Sequence, residues 1–168
     1  MYYAGIGSRE TPDNILQGIE LVAQRLKSTH TLRSGGADGA DTAFEKGAGM
    51  NKEIYLPWKG FNGHQSPYYN EFFAKEIQQK QIEYGRKYHP AFDRLGSGAK
   101  NMMRRNAHQI LGVDSITPVE FVVCWTSNGK DKGGTGFAIR MAWDLGIPVY
   151  NVYNEKDRLE LFKDVLNK

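Results

Sequence analysis

The sequence predicts an α/β protein of the Rossmann-like class: a mostly parallel sheet, helices on both faces and an aromatic-rich insertion. Two observations predict this class. Short apolar runs alternate along the chain with longer segments whose apolar residues recur at helical spacing. Glycine or proline follows several of these runs, as expected where strands enter loops. Parallel strands need crossover helices, and right-handed crossovers place those helices on both faces of the sheet.

The first part of the chain predicts the order β-α-β-α-β. A first strand covers residues 1–6, and a first helix begins at Thr11-Pro12-Asp13 and ends near residue 28. A second strand is predicted over residues 30–33 and a second helix over 37–46. The third strand, at 53–56, is closed by Pro57.

The second part begins with residues 58–97, a segment rich in aromatic residues that we interpret as an insertion with a helix over 66–84. Beyond it the pattern predicts a helix over 99–111, a fourth strand over 119–125 and a helix over 135–145. A fifth strand at 147–152 and an amphipathic helix at 156–166 complete the chain. The insertion is either a lid over a ligand or a satellite core or dimer surface.

Size and composition favour a single globular domain over residues 1–168, which is long enough to bury a core without disulfides. The net charge of +3 fits an anionic small molecule and is far weaker than the basic footprint of a dedicated duplex-DNA binder. The single cysteine, Cys124, lies in an apolar run and is predicted to be an inert core thiol. Without a long apolar stretch, we expect a cytoplasmic protein with no membrane partner.

Three glycine-rich loops follow the first, second and fourth predicted strands. They read Gly5-Ile6-Gly7-Ser8-Arg9, Ser34-Gly35-Gly36-Ala37-Asp38-Gly39 and Gly133-Gly134-Thr135-Gly136. Ligands of open parallel sheets bind beyond the carboxyl ends of the strands, where such loops meet. Backbone N–H groups in glycine turns and at helix N-termini favour phosphate. One such loop often only permits tight packing, but three on one edge predict a nucleotide-type ligand.

Charged and aromatic residues beside these loops are further candidates. Asp38 and Asp41 either cap a helix or accept hydrogen bonds from a ribose or base, and Asp38 is the preferred ligand contact. Of Arg104 and Arg105, one can pair with phosphate, and the alternative is a solvated basic patch. Trp125 either stacks on a base or packs in the core. No metal-ligand spacing, Walker loop or nucleophile elbow occurs, so no metal and no cofactor are predicted.

In their order and spacing, the three loops together with Arg104-Arg105-Asn106 resemble the SLOG superfamily, which groups DprA (Smf) proteins with Lonely Guy (LOG) proteins. The resemblance covers about residues 2–152 apart from the insertion. It implies binding of nucleotide-derived ligands or single-stranded nucleic acid along this edge, and a homodimer or higher homo-oligomer.

The chain departs from the LOG pattern at two positions of the last motif. Phe137 stands where LOG enzymes carry threonine, and Arg140 stands where they carry glutamate. Replacing an acid by a guanidinium removes a group that could stabilise an oxocarbenium-like transition state. The sequence therefore favours binding without hydrolysis.

We accordingly expect a sensor or sequestering protein, of the kind that phages use against host signalling, for a cyclic dinucleotide or an ADP-ribose-type signal. A LOG-like nucleotide N-glycosidase (phosphoribohydrolase) and a DprA-like protein that binds single-stranded DNA weakly are the alternatives. The predicted ligand-binding residues are Gly7, Ser8, Arg9, Ser34, Gly35, Gly36, Asp38, Asp41, Arg104, Arg105, Asn106, Trp125, Gly133, Gly134, Thr135 and Gly136.

Overall fold

The computed structural model describes residues 1–168 and contains one six-stranded sheet in which every pair of neighbours is parallel. The spatial order is β4-β3-β2-β1-β5-β6. The strands are β1 (Tyr2–Gly7), β2 (Thr31–Ser34), β3 (Lys52–Leu56), β4 (Tyr68–Tyr69), β5 (Phe121–Trp125) and β6 (Val149–Asn151). The predicted fold class is confirmed. Strand order reverses between β1 and β5, which is where open α/β sheets form their ligand crevice.

Six helices cover the sheet, and β1 shows how its two faces are used. Tyr3 belongs to one apolar core, whereas Ala4 and Ile6 belong to the other, as alternation along a strand requires. The helices are α1 (Asp13–Leu26), α2 (Ala40–Ala48), α3 (Lys75–Tyr88), α4 (Ser97–Leu111), α5 (Gly133–Asp144) and α6 (Glu155–Leu161), with a π-helical turn at Phe162–Leu166. Helices α1, α2 and α6 pack on the first face, and α3, α4 and α5 pack on the second.

The aromatic segment differs most from its prediction. The helix predicted over 66–84 is wrong at its start, because residues 68–69 form β4 and the helix begins only at Lys75. Pro67 disfavours a helix through this stretch, and the aromatic residues after it are strand formers. Tyr68 stacks on Tyr55 of the neighbouring β3 with ring centroids 5.6 Å apart. The segment thereby adds an edge strand to the sheet.

The second helix also begins later than predicted. It starts at Ala40 rather than at residue 37, because Gly36 and Gly39 have φ values of 69° and 81°. Such left-handed backbone cannot be part of an α-helix and is open mainly to glycine. The loop between β2 and α2 is therefore longer than the pattern predicted and folds back against the end of β1, where Ala40 N–H donates to Ser8 O at 3.3 Å.

None of the six helices has the length and apolar character needed to cross a bilayer.

Candidate ligand-binding site

A cavity of about 670 Å³ opens at the carboxyl ends of β1 and β5. Its walls are the loop after β1, the loop before α2, one face of α4 and the loop from β5 into α5. This volume is in the usual range for small-molecule sites. The lining residues are Ile6, Gly7, Ser8, Arg9, Glu10, Ala37, Asp41, Ala99, Met102, Met103, Arg105, Asn106, Gln109, Thr126, Ser127, Asn128, Lys130, Lys132, Gly133, Gly134 and Thr135.

The start of α5 presents bare backbone to the cavity. The first N–H groups of a helix have no partner inside the helix, and those of Gly133, Gly134 and Thr135 lie in the cavity wall. A Cβ on Gly133 would meet no atom within 4 Å, and one on Gly134 would meet only Met103 and Asn106, at 3.5 Å or more. Packing does not require glycine at position 134. These N–H groups are available to an anion.

Three exposed cations surround the same opening. Arg9 follows β1, and Lys130 and Lys132 precede α5. None of the three forms a salt bridge, whereas Glu10 supplies one exposed carboxylate at the rim. Exposed lysines and arginines attract phosphate in a salt-dependent way. The mouth of the cavity therefore favours an anionic ligand.

The N–H groups of the first two glycine loops already have an anion, the carboxylate of Asp41. Ala37 N–H donates to Asp41 Oδ2 at 3.4 Å, and the N–H groups of Gly7 and Gly35 also face this carboxylate. Asp41 is only 4% exposed and lies at the cavity floor. In these two loops the protein itself supplies the negative charge. They therefore have fewer N–H groups left for a phosphate than the start of α5 has.

Asp41 and Arg105 are buried side chains of opposite charge that interact electrostatically without forming a salt bridge. Burial raises the pKa of Asp41 to about 6, although the charge of Arg105 and the backbone N–H groups oppose the rise. Burial likewise lowers the pKa of Arg105 to about 10, with Asp41 opposing the fall. Both groups remain predominantly charged at neutral pH, and each compensates the other away from water.

Arg105 and Asn106 join α4 to two of the loops. Arg105 donates through Nη1 to Gly35 O and to Tyr55 O, the latter at 3.1 Å, and through Nε to Asn106 Oδ1 at 2.8 Å. Asn106 Nδ2 donates to Gly134 O at 3.0 Å. Arg104 points away from the cavity and contacts Gln78, Gln81 and Asn101 instead. Of the two adjacent arginines, Arg105 alone lines the cavity, and its guanidinium is committed to protein carbonyls.

Gln109 lines the cavity one helical turn beyond Arg105 and was not predicted. It is 3% exposed as a whole, and its side-chain amide, which forms no hydrogen bond within the protein, is open to the cavity and not sealed from solvent. The signal that could have found it is spacing, since residues 102, 105, 106 and 109 share one face of a helix. The sequence shows the irregularity, because Gln109 is a polar residue near the apolar Met102 and Met103 on the same helix.

Other glycines of the motifs serve packing. A Cβ on Gly7 would lie 2.6 Å from Ala40 Cβ, and one on Gly39 would lie 2.7 Å from Ser8 O. One on Gly136 would lie 2.2 Å from Asp131 O, and one on Gly35 would meet Arg105 and Gln109. The glycine pattern thus reflects close backbone approach at these positions.

The remaining predicted residues lie outside the cavity. Ser34 is buried and donates to Gly5 O at 2.6 Å, and Gly36 faces Leu56. Asp38 points outward and accepts from Asn62 Nδ2 at 3.0 Å, so Asp41, rather than the preferred Asp38, lies at the cavity. Trp125 is buried against Tyr153 with ring centroids 6.2 Å apart.

The aromatic segment and the departures from the LOG motif also lie away from the cavity. No aromatic residue of 58–97 is among its lining residues. Arg140 donates through Nε and Nη2 to Tyr88 O, at 3.0 and 2.9 Å, and through Nη1 to Asp131 O at 2.7 Å. Phe137 is completely buried. The position of the LOG glutamate is thus occupied by Arg140, whose hydrogen bonds connect α5 to the end of α3.

Comparison with known proteins identifies the fold. No protein-family model and no curated protein matches the chain. Among solved structures it is similar to DNA processing protein A from Helicobacter pylori, described in terms of its single-stranded DNA binding mode. The TM-score is 0.56 and the identity 17%, over 98% of this chain and 72% of that one. The chain therefore shares its fold with this DNA processing protein.

Proposed function

We propose that the chain binds a phosphorylated, nucleotide-derived small molecule in this cavity and acts as a sensor or sequestering protein. One observation carries the proposal: unpaired N–H groups at the start of α5 open into a 670 Å³ cavity whose rim holds three cations without carboxylate partners. A phosphate at Gly133, Gly134 and Thr135 would gain both the helix terminus and these charges. The apolar wall of Met102 and Met103 suits a base or sugar face.

The same site supports binding without cleavage. Its carboxylates are Glu10, exposed at the rim, and Asp41, which accepts hydrogen bonds from backbone N–H groups and is stabilised by the charge of Arg105. Neither occupies the position of the LOG glutamate, where Arg140 is bound to Tyr88 O and Asp131 O. We therefore expect no free base after incubation with nucleoside monophosphates, which chromatography would check.

A thermal-shift screen against nucleoside phosphates, cyclic dinucleotides and ADP-ribose derivatives tests the proposal. A ligand at 100 times its dissociation constant should stabilise the protein by about 2.7 kcal/mol. The double substitution Lys130→Ala/Lys132→Ala should weaken binding about tenfold. Its matched control, Lys156→Ala/Lys163→Ala on the C-terminal helix, removes the same charge and should bind like the wild type. Absence of any shift, or equal loss in both double variants, would contradict the proposal.

Single-stranded DNA is a second candidate, because the similar Helicobacter pylori protein is described by its binding of single-stranded DNA. The exposed Arg9, Lys130 and Lys132 could contact a strand backbone. Binding of a labelled oligonucleotide with a steep dependence on salt would favour this candidate. Saturation by a mononucleotide, with a dependence on salt that is shallower than that of the oligonucleotide, would favour the small molecule.

A further inference from the structure

The side chain of Gln109 is buried at the closed end of the cavity. Along α4 the cavity wall changes from the exposed Ala99 through the partly buried Met102 to the buried Asn106 and Gln109. Ten residues separate Ala99 from Gln109, which corresponds to about 15 Å along the helix axis. Gln109 Nε2 lies beside the backbone of Gly35, where a Cβ would be 2.4 Å away.

This amide lacks a partner in the protein. The polar side-chain atoms that are sealed from solvent without a partner are those of Tyr3, Asn70 and Ser115, so the Gln109 amide is reached from the cavity, where water or a ligand can supply its hydrogen bonds. Gln109 has a donor and an acceptor free, and its 3% exposure is to the cavity. The neighbouring Asp41 carboxylate lines the same floor and can only accept when charged. The floor therefore suits a group that both donates and accepts, as hydroxyl groups do.

The distance from the start of α5 selects which part of a nucleotide reaches this floor. Asn106 Nδ2 contacts Gly134 O at 3.0 Å, so Gly134 is level with Asn106 along α4. Gln109 lies three residues farther, about 4.5 Å along the axis. An axial offset of this size fits a group that is a few bonds from a phosphate at Gly134. In a nucleoside 5′-phosphate this is the ribose, since the base edge lies farther away.

We propose that Gln109 recognises the ribose hydroxyl groups of the ligand, so that the cavity selects ribonucleotides over deoxyribonucleotides. This inference rests on the proposed function, because it takes the phosphate to be at the start of α5. It adds a specificity-determining residue that lies outside every glycine motif.

Calorimetric titration with the four ribonucleoside 5′-monophosphates and their 2′-deoxy and 3′-deoxy counterparts tests the inference. The wild type should bind at least one ribonucleotide about tenfold more tightly than its deoxy counterpart, because a buried hydrogen bond is lost. In Gln109→Leu, which keeps the size of the side chain, the preference should fall to within about twofold. Urea unfolding should show Gln109→Leu to be folded, since no hydrogen bond within the protein is removed.

The outcomes separate the two proposals. A Gln109→Leu variant that keeps the tenfold preference, or a wild type that binds both sugars equally, overturns the role of Gln109 and leaves nucleotide binding intact. Tighter binding of the deoxy compounds also overturns the role of Gln109 and favours a DNA ligand. If none of these monophosphates binds, this inference fails, whereas the proposed function fails only if the thermal-shift screen also finds no cyclic dinucleotide or ADP-ribose derivative that binds.

Discussion

At the scale of single residues, the buried pair of Asp41 and Arg105 dominates the candidate site. Arg105 is 4% exposed and connects α4 to the loop after β2 and to β3 through the backbone carbonyls of Gly35 and Tyr55. Asp41 in turn holds the N–H groups of the first two loops. The floor of the cavity is therefore pre-organised by charges that belong to the protein, at the cost of desolvating both.

Arg105→Met should destabilise the protein by about 3–5 kcal/mol, because it leaves the Asp41 carboxylate buried without its counter-charge. Urea unfolding at pH 7.5 would measure the loss. Arg94→Met is the matched control, and it should change the free energy of unfolding by less than about 0.5 kcal/mol, because Arg94 is exposed. A loss below about 1 kcal/mol in Arg105→Met would show that the pair contributes little.

The buried side chain of His108 makes the stability of the protein depend on pH. It lies between the rings of Tyr55 and Phe73, donates through Nδ1 to Gly112 O at 2.7 Å, and accepts through Nε2 from Gln81. Burial lowers the pKa of His108 from 6.5 to about 4. The unfolded chain takes up a proton below pH 6.5 and the folded protein only near pH 4, so acid favours unfolding across this window.

Between pH 6.5 and 4 the wild type should therefore lose up to about 3 kcal/mol more stability than His108→Asn. Asparagine can still donate to Gly112 O but does not titrate. Asp41 acts in the opposite sense, because its raised pKa makes stability fall as pH rises from 3.8 to about 6. Both proteins keep Asp41, so its effect cancels in the difference. Parallel stability curves for the two proteins would refute the role of His108.

At the scale of elements, the first turn of α5 contains glycines with two different roles, one at the cavity and one in packing. Gly134 faces the cavity with room for a methyl group, whereas Gly136 lies against the backbone of Asp131. One motif therefore contains a glycine that the fold requires and a glycine that it does not.

Gly134→Ala should leave the free energy of unfolding within about 0.5 kcal/mol of the wild type, yet weaken nucleotide binding about tenfold by obstructing the N–H groups. Gly136→Ala is the matched partner and should cost about 1–3 kcal/mol or more, because its Cβ would overlap backbone atoms that cannot move aside. Denaturant unfolding and calorimetric titration of both variants would check this. Unchanged affinity in Gly134→Ala would exclude the start of α5 as the phosphate site.

At the scale of the whole molecule, the aromatic segment contributes to the main cores. Phe61 belongs to the core on one face of the sheet, whereas Tyr88 and Phe92 belong to the core on the other. The Phe92 ring packs directly against Gly85. A Cβ on residue 85 would lie only 2.4 Å from the nearest atom of this ring. We therefore expect residues 58–97 to unfold together with the rest of the chain.

Phe92→Ala should lower stability by about 3–5 kcal/mol in a single cooperative transition, because it leaves a cavity in the shared core. Phe72→Ala is its matched control, since Phe72 is 51% exposed and should cost much less. Circular dichroism and tryptophan fluorescence should report coincident unfolding curves in both variants. A separate early transition in Phe92→Ala would mean that the segment folds independently.

The fold class and the edge of the sheet at which the cavity lies could both be predicted from the order of the residues. Both depend on local signals, namely apolar periodicity and glycine at strand ends, and parallel strands bring such loops together whatever their details. The helix over 66–84 was mispredicted because Pro67 and the pairing of Tyr68 with Tyr55 outweigh helical spacing. The choices between Asp38 and Asp41, and between Arg104 and Arg105, depend on the direction of each side chain.

Which N–H groups are free and which side chains lack partners became apparent only in the folded molecule. Asp41 satisfies the N–H groups of two loops through contacts that no motif encodes, and Gln109 is unpaired because no neighbouring element supplies a partner for its amide. Hydrogen-bond satisfaction is a property of the assembled molecule, since a donor in one element is paired or unpaired according to what another element brings to it.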